Sequence, residues 1–199
     1  MKKNVGISYK AFAVILAAVL ILGGAIGGTM AWLIDDTTPV SNVFTDSDIN
    51  ITLSETTGEI TENEHKYKMI PGHTIPKDPK VTVYEKSEAC YVFVKINKSG
   101  NYDDYLAPYT VADDWTLVDG ENNVYYKAFT EKITANTELP VLKDNKVTVL
   151  ESVTKKQMND IKNNAVDEPT LTFTAYAVQY YKTNNTPFTV AEAWAKATN

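Results

Sequence analysis

Residues 169–181 read PTLTFTAYAVQYY. Leu171, Phe173, Ala175 and Ala177 fall on every second position, with Thr172, Thr174 and Tyr176 between them. Successive side chains of an extended chain leave on opposite faces, so this period of two marks a long strand with one continuous apolar face. The same parity returns elsewhere. YVFVKI (91–96) sets Val92, Val94 and Ile96 on one face and Tyr91 and Phe93 on the other. DINITLSE (48–55) alternates Ile49, Ile51 and Leu53, KVTVY (80–84) pairs Val81 with Val83, and NKVTVL (145–150) pairs Val147 with Val149. WTLVDGENNVYYKAF (115–129) reads as two strands joined at Asp119-Gly120, a dipeptide suited to a tight hairpin turn. About eight short strands divided by Pro, Gly, Asn and Asp predict an antiparallel β-sandwich.

Two helices interrupt the strands. Thr154 followed by Gln157, and Thr189 followed by Glu192, each have capping-box spacing. The first opens a helix over roughly 155–164, and Pro169 returns the chain to strand. In the second, Val190, Ala193, Trp194 and Ala197 form one apolar stripe. That stripe is expected to dock the C-terminus onto the sheets, with a partner-binding helix as the alternative. No internal repeat or low-complexity linker divides the 199 residues, a length that suits one substantial domain.

The composition is that of a folded chain, 44% hydrophobic and 22% charged. All 19 basic residues are lysine, and the net charge is −6. Nucleic-acid backbones demand a positive surface and favour arginine forks, so a nucleic-acid partner is not expected. Cys90 is the one cysteine, which leaves no internal disulfide; in its strand-like run it reads as a small buried hydrophobe.

The N-terminus has its own logic. Lys2, Lys3 and Lys10 precede the apolar run AFAVILAAVLIL (11–22), and GGAIGGTMA (23–31) follows with four glycines that weaken a helix. Thr29 and Ala31 occupy the small positions of a signal-peptidase site, which predicts cleavage between Ala31 and Trp32. An uncleaved membrane anchor is the alternative, because no charge falls between Ala11 and Ile34. The expected division is a signal peptide over 1–31, an N-terminal assembly strand over 32–44 and a β-sandwich over 45–199. Membrane contact is then limited to the signal peptide before cleavage, and the mature chain is secreted.

Catalytic chemistry finds little support. There is no HExxH and no GxSxG, and the two histidines are His65 and His73, with Glu62 and Glu64 close by. These four are the weak candidates for a metal, although Pro71-Gly72 turns the chain between the histidines. Asp46, Asp48 and Asn50 have calcium-loop spacing, but Ile51 and Thr57 stand where such a loop requires glycine and glutamate. Asp103-Asp104 and Asp113-Asp114 offer further acidic pairs, best read as solvated turns, and NYDDYLAPYT (101–110) carries three tyrosines for packing or for stacking on sugars. No cofactor is implied.

Three stretches resemble a known family. GGTMAWLIDDTTPVSNVFTDSDINITL (27–53), YKMIPGHTIPKDPKVTV (67–83) and CYVFVKINKSG (90–100) look like the corresponding parts of the TasA/camelysin group of secreted Gram-positive proteins. The tail over 171–197 is similar to the ending of homologues with SipW-type signal peptides. Asp48 departs from the pattern, standing where many relatives have glycine. The resemblance implies processing by a SipW-type signal peptidase, a jelly-roll-like β-sandwich, and assembly into extracellular biofilm-matrix fibres as a homopolymer, with accessory matrix proteins as further partners. In such fibres the segment after the cleavage site adds as a strand to the next subunit. Camelysin relatives imply the alternative, a cell-surface metalloprotease, and a membrane-anchored accessory protein is a third reading.

That implication gives the new N-terminus a purpose. Trp32, Leu33 and Ile34 would leave apolar surface in water unless covered, and burying each large side chain is worth roughly 1.5–3 kcal/mol. The cover is either the chain's own sheet or the open edge of a neighbour. Trp32, Leu33, Ile34, Val40 and Phe44 are the expected assembly-strand residues, with Pro39 interrupting the ladder because it lacks a donor.

Overall fold

A computed structural model of the chain describes residues 34–37, 49–61, 64–183 and 185–198, with 34–37, 61 and 64 described by backbone alone. The chain divides into two units, Met1–Trp32 and Leu33–Asn199, and every described residue belongs to the second. Thr29, Ala31, Trp32, Leu33, Val40, Phe44 and Glu62 lie outside the described residues, as do Asp46 and Asp48.

The protein is mainly β, and every strand pairing among the described residues is antiparallel. In chain order the strands are β1 (Ile34–Thr37), β2 (Ile51–Ser54), β3 (Glu59–Thr61), β4 (Glu64–Lys66), β5 (Thr74–Pro76), β6 (Lys80–Val83) and β7 (Cys90–Lys98). They continue with β8 (Thr116–Leu117), β9 (Val124–Phe129), β10 (Thr137–Pro140), β11 (Lys146–Thr148), β12 (Leu171–Gln179), β13 (Tyr181–Thr183) and β14 (Thr186–Pro187). A five-stranded sheet has the order β1-β12-β7-β9-β8; a three-stranded sheet has β10-β6-β2, and β11 pairs with β5. Two hairpins, β3-β4 and β13-β14, complete the set.

The alternation in 169–181 becomes the inner face of β12. Phe173, Ala175 and Ala177 lie opposite Ile96, Val94 and Val92 of β7. All six are buried in one core with Ile51, Val81 and Val83 from the three-stranded sheet and Ile75 and Val147 from the β5-β11 pair. The five-stranded sheet and the smaller sheets therefore share a single apolar interior. Cys90 belongs to it, and burial pushes its thiol up to about 12.

The opposite face of the five-stranded sheet is also covered. Tyr91 and Phe93, Val118, Val124 and Val178 are buried outside that interior, together with Phe188, Ala193 and Ala197. Burial on both faces explains why Cys90–Val94 is an unbroken apolar run rather than an alternating one.

The cover comes from the C-terminal helix. The helices are α1 (Tyr102–Tyr105), α2 (Lys155–Lys162) and α3 (Val190–Ala197). Both expected capping boxes form: Thr154 with Gln157 at α2, and Thr189 with Glu192 at α3. In α3, Trp194 lies tilted against Phe93 (5.3 Å) and meets Tyr176 edge-on (5.4 Å), and its indole Nε1 donates to Glu121 at 2.9 Å. The stripe read from the sequence thus seats the C-terminus on the sheet. The single turn of α1 was not foreseen, because four residues are too few to show a helical period.

Candidate functional site

Of the residues in the N-terminal expectation, Ile34 is described, and its strand lies at one edge of the five-stranded sheet. β1 pairs with β12 in the register Ile34 opposite Val178, Asp35 opposite Ala177, Asp36 opposite Tyr176 and Thr37 opposite Ala175. The segment therefore forms a strand, and within a single chain that strand adds to the chain's own sheet. β1 also lies beside α3 and β2. Its partner is a prepared surface: Ala175 and Ala177 are fully buried, Val178 nearly so, and Trp194 rests on Tyr176.

The strength of this attachment can be bounded. A net contribution of about 0.5–1.5 kcal/mol per backbone hydrogen bond makes a four-residue ladder worth only a few kcal/mol. That is enough to hold a strand at an edge and small enough to release it. β12 without β1 would present a row of unpaired N–H and C=O groups, a template for another strand.

The other expected sites disperse. His65 lies in β4, where its Nδ1 is 2.8 Å from the carbonyl oxygen of Thr57. His73 follows the turn at Gly72 (φ 77°), and its carbonyl accepts from the amide of Val149 at 2.9 Å. Glu64 is described by backbone, opposite Thr61 in the β3-β4 hairpin. No group of three or more His, Cys, Asp or Glu among the described residues is placed to hold a metal.

The acidic pairs meet lysines. Asp103 pairs with Lys98, Asp113 with Lys143 (3.0 Å) and Asp114 with Lys127 (3.2 Å). The tyrosines of 101–110 pack: Tyr102 and Tyr105 are buried, and Tyr109 meets the Tyr102 ring edge-on at 6.4 Å. Burial pushes the Tyr102 hydroxyl up to about 12, with the neighbouring Tyr109 and Asp103 adding to it. No helix among the described residues is long and apolar enough to cross a membrane.

One polar cluster escaped the sequence. Glu55, Thr56 and Thr57 follow β2, Lys77 and Asp78 lie between β5 and β6, and Tyr67 follows β4. The Asp78 carboxylate accepts from the amides of Thr56 (3.0 Å) and Thr57 (2.9 Å) and from both threonine hydroxyls. Burial alone would raise the Asp78 carboxyl; the threonine hydrogen bonds outweigh it and hold the group well below the usual carboxylate range. Burial, with help from Glu55, pushes the Tyr67 hydroxyl far up, so it keeps its proton. These residues come from three stretches between 55 and 78 that lie ten or more positions apart, and no local spacing links them.

No family model, curated protein or solved structure matches the chain.

Proposed function

We propose that the protein is a secreted structural subunit of extracellular matrix fibres, with a jelly-roll-like β-sandwich and an N-terminal strand that passes between subunits. The observation carrying this reading is the pairing of β1 with β12 at the edge of the five-stranded sheet. β1 comes from the opposite end of the described chain to β12 and is attached to the rest of the sheet through that one neighbour. Removal at the 31/32 bond would leave it five or fewer residues from a free end.

A strand bound this way has two equivalent partners: its own β12 and the β12 of another copy. Exchange replaces each contact with an identical one, which is why swapping an element costs little. Exchange around a two-fold closes into a dimer, whereas head-to-tail exchange propagates into a filament. In dilute solution the tethered strand wins, because a short linker keeps it near its own edge at an effective concentration in the millimolar range. Assembly therefore needs extra contacts in the exchanged state, which Trp32 and Leu33 on one side of β1 and Val40 and Phe44 on the other supply. The partners are other copies of the chain, a SipW-type signal peptidase and accessory matrix proteins.

The test is assembly of the chain beginning at Trp32. Electron microscopy should show filaments above a threshold concentration, and a chain beginning at Pro39 should show none. A chain beginning at Trp32 that stays monomeric at every concentration would contradict the reading. The camelysin-like alternative predicts casein cleavage that chelators and the His65→Ala/His73→Ala variant abolish.

A further inference from the structure

Lys77 and Glu55 form an ion pair unlike the others in the described chain. Lys77 Nζ is 2.9 Å from Oε1 and 3.2 Å from Oε2 of Glu55. Both side chains are about nine-tenths buried, at 9% and 12% exposure. The other ion pairs described each keep one side chain at least 46% exposed. The rings of Tyr67 and Phe173 stand over Nζ at 4.7 and 5.4 Å. The Tyr67 hydroxyl lies 2.7 Å from Glu55 Oε1 and 2.8 Å from the Thr57 carbonyl oxygen, within donating distance of either.

We infer that Lys77 and Glu55 are the two halves of an intramolecular isopeptide crosslink, an amide joining Nζ to the Glu55 side-chain carbonyl carbon with loss of one water. Both carboxylate oxygens lie within 3.2 Å of Nζ, which holds the carboxyl group beside the amine. A proton passes from Nζ to the carboxylate along the 2.9 Å hydrogen bond, leaving a neutral amine and a neutral acid. The amine lone pair forms the N–C bond, a carbon–oxygen bond of the carboxyl breaks, and the departing oxygen leaves as water with two protons that began on Nζ. No oxidant and no co-reactant are needed.

Three features drive the step. Confinement raises the effective concentration of the reacting groups, by on the order of 10⁵–10⁸ M in well-oriented intramolecular cases. Desolvating an ion pair is costly, and an amide removes both charges. The aromatic cover keeps water from reversing the condensation. Tyr67 donates to Oε1 and polarises the carboxyl, and the Asp78 clamp on Thr56 and Thr57 fixes Glu55 one residue away. Gly58 lets the Tyr67 ring approach: a Cβ there would meet the ring at 2.8 Å. A chain with one cysteine has no internal disulfide, and this bond would tie the end of β2 to the β5–β6 connection in its place.

Mass spectrometry of the full folded chain decides the matter. The wild type should weigh one water less than its sequence requires, and a protease digest should contain a branched peptide joining the Glu55 and Lys77 segments. Lys77→Arg keeps the ion pair but should show the full mass, and Tyr67→Phe should slow the water loss at least tenfold. The branched peptide is read from the wild type alone, so a variant that fails to fold leaves the test intact. Folded wild type at its full sequence mass after days at neutral pH, with no branched peptide, would overturn the inference.

Discussion

At one edge of the five-stranded sheet, β8 is joined to β9 by the short Val118–Asn123 connection, so its pairing is local and is restored whenever the hairpin closes. At the other edge, β1 reaches β12 from the far end of the chain. β8 spans two residues, with Leu117 47% exposed, too short to receive a long strand. β1 spans four, and behind it lies the buried row Ala175, Ala177 and Val178. Under the proposed function, the difference separates a blunt edge from an exchangeable one: a short local hairpin ends a sheet, whereas an edge strand that could be removed would leave a template for a substitute.

Removing the exchangeable edge should have the largest effect. Deleting residues 32–37 is expected to abolish filaments while circular dichroism still reports a β-rich fold, because the β12-β7-β9 pairings and the apolar interior they share with β2 and β6 are built from residues beyond that segment. Leu117→Lys at the blunt edge should leave filaments unchanged. Equal loss from both changes would erase the distinction.

A second variant weakens the same edge without shortening the chain. Of two consecutive residues in an antiparallel strand, one N–H faces the partner, so the double change Asp35→Pro/Asp36→Pro removes at least one ladder bond. Fibre yield should fall severalfold, read by sedimentation, with the soluble fraction still folded. Trp194→Ala tests the outer cover beside this edge. Loss of its contacts with Phe93 and Tyr176 and of the hydrogen bond to Glu121 should cost about 2–4 kcal/mol in urea unfolding.

The smallest effect on the comparison belongs to a site at neither edge. The threonines hold the Asp78 carboxyl below its unfolded value, so its contribution is fully present above about pH 4 and is lost as pH falls through the folded value. Asp78→Asn should lower stability at pH 7, with the gap from wild type closing below pH 4, and filament yield at neutral pH should be unaffected. A gap that widens in acid would reverse the assigned sign.

Much of this architecture is local and was therefore legible. The period of two in 171–177 set the buried face of β12, and the apolar run of 90–96 marked β7, because side-chain direction in a strand depends on parity alone. Asp119-Gly120 marked the β8-β9 turn, where Gly120 adopts φ 81°. The threonine caps placed both longer helices, since capping is a contact across three residues. Pairing partners were less visible. Nothing near Ile34 names Val178 as its neighbour, and Glu55, Tyr67 and Lys77 meet only because β2, β4 and β5 end together. The short hairpin β3-β4 was missed for a related reason: with Ile60 65% exposed, it has no buried face to impose alternation.

Exchange itself can be read directly from a disulfide. Asp35 and Ala177 are cross-strand partners, and Cys90 is buried in the core. Filaments should be grown from an equal mixture of an Asp35→Cys chain and an Ala177→Cys chain, then oxidised. The account predicts disulfide-linked pairs containing one chain of each kind. Filaments in which those pairs never form, while a chain carrying both cysteines closes the bond within itself, would show that β1 stays at home.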